Sequence, residues 1–219
     1  AQAAWAWRDL RSPPCAKRPR TSQLRAEMRA GDAASRQKVV VVGPCEAGKS
    51  MISNVLAETA EAASEIYRPT LGVRILECEA EVRSASQRLT VDLWDVSGDT
   101  KYQKCWPAIK KDTVGIVLVY NPEKQNQDQE VEQWFHWFPK SMNMSAAQVF
   151  VVQSLRQSNM PKRSPLPAKL AAAGVNQLAA ISADDLPSVR KHFSQFLETV
   201  RQTVLDKQRQ EEEDVMKGG

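Results

Sequence analysis

Short apolar runs recur along the chain, and stretches with helical periodicity separate them. The first run, 39–42, is four consecutive valines, which is typical of a strand buried on both faces. Since strands and helices alternate, we predict an α/β fold: a six-stranded, mostly parallel sheet with helices on both faces. The other predicted strands are 73–82, 89–94, 114–120, 148–152 and 178–181, and the predicted helices are 51–63, 130–138 and 185–205.

The segments that flank this pattern differ from it in composition. Residues 1–37 are rich in Ala, Arg, Ser and Pro, with eight basic residues against three acidic ones. This predicts a disordered basic arm, and a transit peptide has the same Arg-rich, acid-poor character. We place the folded domain at 38–205, with a surface insertion rich in Pro, Lys and Arg at 157–174. A charged C-terminal tail is predicted at 206–219.

Charge, cysteine spacing and hydropathy exclude several classes of function. The positive charge is concentrated in the arm, so we expect no nucleic-acid binding by the domain. The four cysteines lack the paired spacing of a zinc site or a disulfide framework, which favours the reducing cytoplasm. No apolar run approaches the ~20 residues of a membrane span. Residues 215–219 contain no cysteine to prenylate, so no direct lipid anchor is expected.

A phosphate-binding motif, G-x-x-x-x-G-K-[ST], is complete at residues 43–50. In such a loop, backbone N–H groups surround the phosphates, Lys49 neutralises their charge, and Ser50 offers a hydroxyl to Mg²⁺. The helix that follows directs its positive N-terminus at the same anion. The alternative is a loop that retains the fold without a ligand. The nucleotide-binding residues predicted here are Gly43, Cys45, Glu46, Ala47, Gly48, Lys49, Ser50 and Met51.

Two other segments carry partners for a nucleotide. Asp95 follows the third strand, where a carboxylate can hold Mg²⁺ through water, and Gly98 leaves its N–H free for a γ-phosphate. Thr70 precedes the second strand and can reach the same ion. Each segment taken singly also matches an ordinary turn. Together they predict a Mg²⁺ site formed by Ser50, Thr70 and Asp95.

These motifs resemble the first three guanine-nucleotide motifs of Ras- and Rab-type GTPases, over roughly 38–205. The stretches 42–50, 69–77 and 105–108 further resemble the Rab-like protein 5 family, whose members are subunits of intraflagellar transport complex B. That resemblance implies a small-GTPase-like fold, bound GTP or GDP with Mg²⁺, and docking on the coiled-coil subunits of complex B. It also implies a location in the cytoplasm, the cilium or flagellum and its base.

Several positions depart from the GTPase pattern. Asp99 replaces the glutamine that orients water, and a γ-phosphate would repel its carboxylate. Cys45 occupies a position usually kept small, where it would crowd an arginine finger. Residues 153–157, Gln-Ser-Leu-Arg-Gln, replace the Asn-Lys-x-Asp motif, so guanine specificity is left open. Ser182 and Ala183 match either the last guanine motif or a helix-capping loop.

Three functions therefore compete. The first is a nucleotide-binding assembly subunit with weak or absent hydrolysis, and the second is an active GTPase switch whose hydrolysis a partner completes. The third, a P-loop small-molecule kinase, is disfavoured by Thr70 and Asp95, whereas Asp99 and Cys45 favour the first over the second. The switch regions, where GTPase folds display the state of the γ-phosphate, correspond to 68–73 and 97–108. Trp106, near the end of the second switch, is expected either to contact a partner or to pack in the core.

Overall fold

The structure is a computed structural model that describes residues 36–59, 68–81, 88–155, 165–175, 178–181 and 186–217. Its sheet has the order β2-β3-β1-β4-β5-β6. β2 pairs with β3 in antiparallel fashion, and the other neighbours are parallel. The predicted six-stranded, mostly parallel sheet is confirmed. The strands are β1 Arg36–Val42, β2 Val73–Glu81, β3 Arg88–Val96, β4 Thr113–Tyr120, β5 Val149–Ser154 and β6 Leu178–Ile181.

Helices cover both faces of the sheet. On one face, Val39 and Val41 pack in one cluster with residues of the first and last helices. On the other face, Val40 and Val42 pack with residues of the second, third and fourth helices. β1 has no polar face because both of its faces are covered. The helices are α1 Lys49–Leu56, α2 Trp106–Lys110, α3 Gln127–Trp137, α4 Ala168–Ala172 and α5 Leu186–Lys217, with 3₁₀ turns at Thr100–Cys105, Lys140–Met142 and Ala146–Gln148.

The predicted domain boundaries change at both the arm and the insertion. β1 begins at Arg36, not at 38, because its pairing with β3 extends to Arg36 opposite Thr90. The Arg36 guanidinium is also paired with Glu77 at 2.7 Å and with Asp92 at 2.6 Å. The rest of the predicted arm lies outside the described residues. The predicted insertion at 157–174 contains helix α4, whose Leu170 is fully buried. Residues 165–174 therefore include a packed element, and 157–164 lie outside the described residues.

Helix α5 continues through most of the segment predicted as a charged tail. It is a single helix of 32 residues, and its side chains are exposed from Leu205 to Lys217. The prediction of a solvated end therefore agrees with the structure, but the predicted domain end at 205 is not a structural boundary. Pairs at i,i+4 spacing, such as Lys217 with Glu213 at 3.6 Å, support the exposed turns. None of the described helices is long and apolar enough to cross a bilayer.

Candidate nucleotide-binding site

The phosphate loop at 43–50 joins β1 to α1 and packs closely against two neighbouring strands. A Cβ on Gly43 would lie 2.0 Å from the carbonyl oxygen of Val119 in β4. A Cβ on Gly48, whose φ is 91°, would lie 2.5 Å from Ser154 Oγ at the end of β5. Close backbone approach therefore requires glycine at 43, whereas at 48 the left-handed conformation requires it, with the Ser154 side chain close by.

Lys49 is buried inside the loop. Its Nζ donates to the carbonyl oxygens of Gly43 at 3.0 Å and Pro44 at 2.6 Å, so the side chain folds back across the loop. Burial lowers the pKa of Lys49 to about 8, and the nearby carboxylate of Asp95 opposes this shift. A cation held here can pair with phosphate oxygens that the surrounding N–H groups also bind.

The structure brings together the three residues that were predicted to hold Mg²⁺. Ser50 Oγ and Thr70 Oγ1 are hydrogen bonded at 2.7 Å, and Thr70 Oγ1 also donates to Asp95 Oδ2 at 3.5 Å. Asp95 is fully buried and its Oδ1 has no hydrogen-bond partner within the described part of the chain. Burial raises the pKa of Asp95, and its contacts with Ser50, Arg74 and Lys49 counteract that shift.

This donor set fits Mg²⁺ bound together with phosphates. In the residues that the structure describes, no three His, Cys, Asp or Glu side chains cluster closely enough to hold a metal ion. The site instead offers two hydroxyls and one carboxylate, all oxygen ligands. Mg²⁺ commonly takes one or two carboxylates and completes its shell with water and phosphate oxygens. The orphaned Asp95 Oδ1 is a natural acceptor for such a water.

Arg74 is a charged neighbour of this site that the sequence analysis missed. It lies on β2, with Nη2 3.2 Å from Asp95 Oδ2. The same nitrogen donates to Ser50 O at 3.2 Å and to Asn54 Oδ1 at 2.7 Å. Arg74 therefore links β2 to α1 and places a positive charge beside the buried carboxylate. The available indication in the sequence was an arginine between the apolar residues Val73 and Ile75.

The second switch contains Gly98, which lies against the phosphate loop. A Cβ on Gly98 would be 2.6 Å from Cys45 N and from Pro44 C, so only glycine permits this approach. Asp99 follows and its Oδ1 accepts from Lys101 N at 3.0 Å, while Lys101 Nζ lies 2.7 Å from Oδ2. The hydrogen bond from Lys101 lowers the pKa of Asp99. The carboxylate thus caps its own 3₁₀ turn.

Trp106 packs in the core, in agreement with the second of the two alternatives given for it, and its contact with a partner stays a prediction. Its ring centroid lies 5.3 Å from those of Trp134 and Trp137 and 5.2 Å from that of Phe138. Only 7% of the residue is exposed. Large apolar side chains are instead exposed near the first switch, at Leu71 (77%) and Ile75 (53%). In the sequence, the only indication of these exposed side chains was that two apolar residues lie close to Thr70.

The segment that replaces the Asn-Lys-x-Asp guanine motif, 153–157, begins at the end of β5. Gln153 is fully buried and its Nε2 donates to the hydroxyl of Tyr120 at 2.6 Å. Ser154 is also buried and lies against Gly48. The described residues of this segment offer no carboxylate for a guanine base. Ser182 and Ala183, the candidates from the last guanine motif, lie outside the described residues.

Comparison with known proteins is consistent with this geometry. Residues 38–155 match the family model of the Ras of Complex, Roc, domain of DAPkinase. The chain is 32% identical to the intraflagellar transport protein 22 homolog of Danio rerio, over 80% of this chain and 95% of that protein. It is also similar to the GTP-bound T. brucei IFT22/74/81 crystal structure, with 26% identity, a TM-score of 0.61, and coverage of 78% of this chain and 98% of the matched chain. The GDP-bound T. brucei IFT22 structure matches with 25% identity and a TM-score of 0.56, over 75% of this chain and 96% of that one.

Proposed function

Because the chain belongs to the intraflagellar transport protein 22 family of Ras-like GTPases, we propose that it is a guanine-nucleotide-binding subunit of intraflagellar transport complex B. One observation carries the nucleotide part of the proposal. Ser50, Thr70 and Asp95 meet beside the phosphate loop, although they come from three separate segments of the chain. GTP- and GDP-bound structures of T. brucei IFT22 support GTP or GDP as the ligand.

The phosphate loop and the residues next to it have separate roles in nucleotide binding. The N–H groups of 43–50 and the N-terminus of α1 bind the phosphate oxygens, and Lys49 supplies the compensating charge. Ser50, Thr70 and Asp95 would hold Mg²⁺ with their two hydroxyls and one carboxylate. When bound, Mg²⁺ neutralises part of the phosphate charge. Gly98 brings the backbone of the second switch close enough to respond to the terminal phosphate.

Hydrolysis is weak in this proposal. The side chain that would orient the attacking water is Asp99, whose carboxylate is paired with Lys101 and has no amide group with which to position water. Cys45 is exposed in the phosphate loop and crowds the approach of an arginine finger. These two features favour an assembly subunit over an active switch, including a switch that a partner completes.

Docking uses the exposed apolar surface formed by Leu71 and Ile75, which we call the switch patch. Leu71 follows Thr70 directly, and Ile75 lies on β2, an edge strand of the sheet. Loss of the contact between Thr70 and Mg²⁺ would therefore free Leu71, so the bound nucleotide controls the position of this part of the patch. Coiled-coil subunits of complex B are the proposed partners, in the cytoplasm and in the cilium or flagellum and its base. The T. brucei IFT22/74/81 complex supports this choice.

The test of nucleotide binding is the variant Lys49→Ala. It should weaken the binding of a fluorescent GDP analogue by at least about a hundredfold, because a buried charge that pairs with phosphates is lost. The nucleotide that co-purifies with the wild-type protein should be GTP or GDP, and a single-turnover assay on the same sample should show slow cleavage. Lys191→Ala, an exposed lysine of α5, is the matched control. Unchanged affinity of Lys49→Ala, or co-purified ATP, would contradict the proposal.

A further inference from the structure

The loop between β4 and α3, together with the first residue of α3, lies against the phosphate loop. That first residue is Gln127, of which only 4% is exposed. Its Nε2 donates to the carbonyl oxygen of Cys45 at 3.0 Å, and its Oε1 accepts from the backbone N of Asn121 at 2.7 Å. Lys124 of the same loop pairs with Glu46. A part of the chain that carries none of the nucleotide motifs therefore contacts the loop that carries the first of them.

The two partners of the Gln127 amide fix its orientation. A backbone N–H can only donate, so Asn121 N has to face Oε1, and a carbonyl can only accept, so Cys45 O has to face Nε2. Asn121 is itself buried, and its side chain accepts from Glu123 N at 2.8 Å. Rotation of the amide would leave two buried polar groups without partners, which is costly. Gln127 therefore presents a fixed donor to the phosphate loop.

The Cys45 carbonyl belongs to a peptide in a strained orientation. Glu46, on the other side of that peptide, has a φ of 55°, in the left-handed region that residues with a side chain disfavour. Rotation of the peptide would bring this φ to negative values, as in the change from a type II to a type I turn. The same rotation would reverse the carbonyl and break its bond to Gln127. The Gln127 hydrogen bond therefore stabilises the strained orientation.

The orientation of this peptide decides which of its polar groups faces a phosphate. The peptide is trans, so its C=O and N–H groups point in opposite directions. With the carbonyl of Cys45 directed at Gln127, the N–H of Glu46 points away from that side chain. A phosphate attracts an N–H group and is repelled by a carbonyl oxygen, so the reversed peptide would weaken the binding of a phosphate in the loop.

We propose that Gln127 is a positioning residue for nucleotide binding, which keeps the carbonyl of Cys45 turned out of the phosphate loop. The N–H of the same peptide is then turned into the loop, toward the phosphates of a nucleoside di- or triphosphate. This inference rests on the proposed nucleotide-binding function and deepens it. Retention of the nucleotide then depends on a hydrogen bond between residues that are 82 positions apart in the chain.

The test is the dissociation rate of a fluorescent GDP analogue from the full-length chain. Gln127→Met keeps a long side chain without a donor and should release the analogue about tenfold faster, because the peptide after Cys45 is then free to rotate. Gln127→Ser leaves room for a water molecule at Asn121 N but cannot reach Cys45, so it should show a similar increase. The two variants lose the bond to the phosphate loop in different surroundings, so agreement between them assigns the effect to that bond.

Gln148 provides a matched control at the opposite end of β4. It is partly buried, its Nε2 donates to the carbonyl of Val114 at 2.9 Å, and its Oε1 accepts from Ser145 N at 3.1 Å. Gln148→Met therefore loses the same two kinds of hydrogen bond as Gln127→Met. It should lower the melting temperature of the nucleotide-free protein but release the analogue at the wild-type rate.

The outcomes separate this proposal from the function on which it rests. Equal acceleration in Gln127→Met and Gln148→Met would show that release follows overall stability, and would overturn the positioning role. Wild-type rates in both Gln127 variants would overturn it as well, while nucleotide binding by the wild-type protein would stand. If the wild-type protein bound no analogue, the proposed function itself would fail before any variant is compared. Melting curves of the nucleotide-free proteins show that each variant is folded, and Gln127→Ser carries the test if Gln127→Met is not.

Discussion

Two buried residues of opposite charge, Lys49 and Asp95, lie at the centre of the site. Burial lowers the pKa of Lys49 to about 8 and raises that of Asp95, because each charged form loses hydration. Each residue opposes the shift of the other, since opposite charges favour the ionised forms. In the part of the chain that the structure describes, the Lys49 ammonium donates to two backbone carbonyls and is attracted by the Asp95 carboxylate. Phosphate oxygens would therefore stabilise its charged form.

The lowered pKa of Lys49 predicts a pH dependence of nucleotide binding. Below pH 8, Lys49 is already protonated in the free protein, so its pairing with phosphate requires no uptake of a proton. Between pH 8 and its ordinary value near 10.5, the free protein has lost that proton and must take it up on binding. Affinity should therefore fall above pH 8, by up to about tenfold per pH unit.

Titrations of a fluorescent GDP analogue at pH 7.5 and 9.5 measure this dependence. The control is Lys49→Arg, because arginine stays charged at both pH values. Any titration of the nucleotide itself is common to both proteins and cancels in the comparison. An equal loss of affinity in the wild type and in Lys49→Arg would show that Lys49 is not the group responsible.

At the scale of elements, an aromatic cluster joins α2 to α3. Trp106 opens α2 and packs against Trp134, Trp137 and Phe138 at the end of α3. α2 has only five residues, which is too short to be stable alone. Its position after the second switch therefore depends on this packing. The aromatic cluster therefore fixes the position at which the end of the second switch packs against the rest of the domain.

Trp106→Ala should destabilise the domain by about 3–5 kcal/mol, because it removes a large side chain from a packed cluster and leaves a cavity. Denaturant unfolding measures the change in the free energy of unfolding. Trp106→Phe keeps an aromatic ring and should cost clearly less. The control Leu71→Ala removes an exposed side chain and should change the free energy of unfolding by no more than about 0.5 kcal/mol. An unfolding free energy of Trp106→Ala equal to that of the wild type would contradict the core assignment.

At the scale of the whole molecule, strand order positions both the site and the switch patch. β1 lies between β3 and β4. The chain forms β2 and β3 on one side of β1 and then continues with β4 on the other side. The crevice outside the carboxyl ends of the strands at such a reversal is where α/β folds bind ligands. The phosphate loop and Asp95 both lie there. β2 is left at the edge, where Leu71 and Ile75 remain exposed.

The switch patch should therefore control assembly without contributing to stability. Leu71→Asp should weaken binding to the proposed coiled-coil partners by more than about 1 kcal/mol, because it places a charge in the proposed apolar contact. Its melting temperature should equal that of the wild type. Val215→Asp is the matched control, since Val215 is equally exposed, at 77%, but lies near the end of α5. Equal losses of binding in both variants, measured by titration with the purified partners, would exclude a specific patch.

The sequence alone determined the parts of this protein whose causes are local. Four valines in a row make a strand buried on both faces, and the complete motif that ends in Lys49 and Ser50 makes a phosphate loop. Thr70 and Asp95 are assigned to one site because Thr70 directly precedes the second predicted strand and Asp95 directly follows the third. Each of these inferences used residues that are adjacent in sequence or that stand at fixed places around a strand.

Only the tertiary structure decided which distant side chains meet. It placed Trp106 among the aromatic residues of α3, directed Arg74 to Asp95, and paired Lys124 with Glu46 across 78 positions. No local pattern carries that information, because such contacts depend on strand order, on register and on the packing of helices against the sheet. The same residue types in another topology would meet other partners, so their roles follow from the fold.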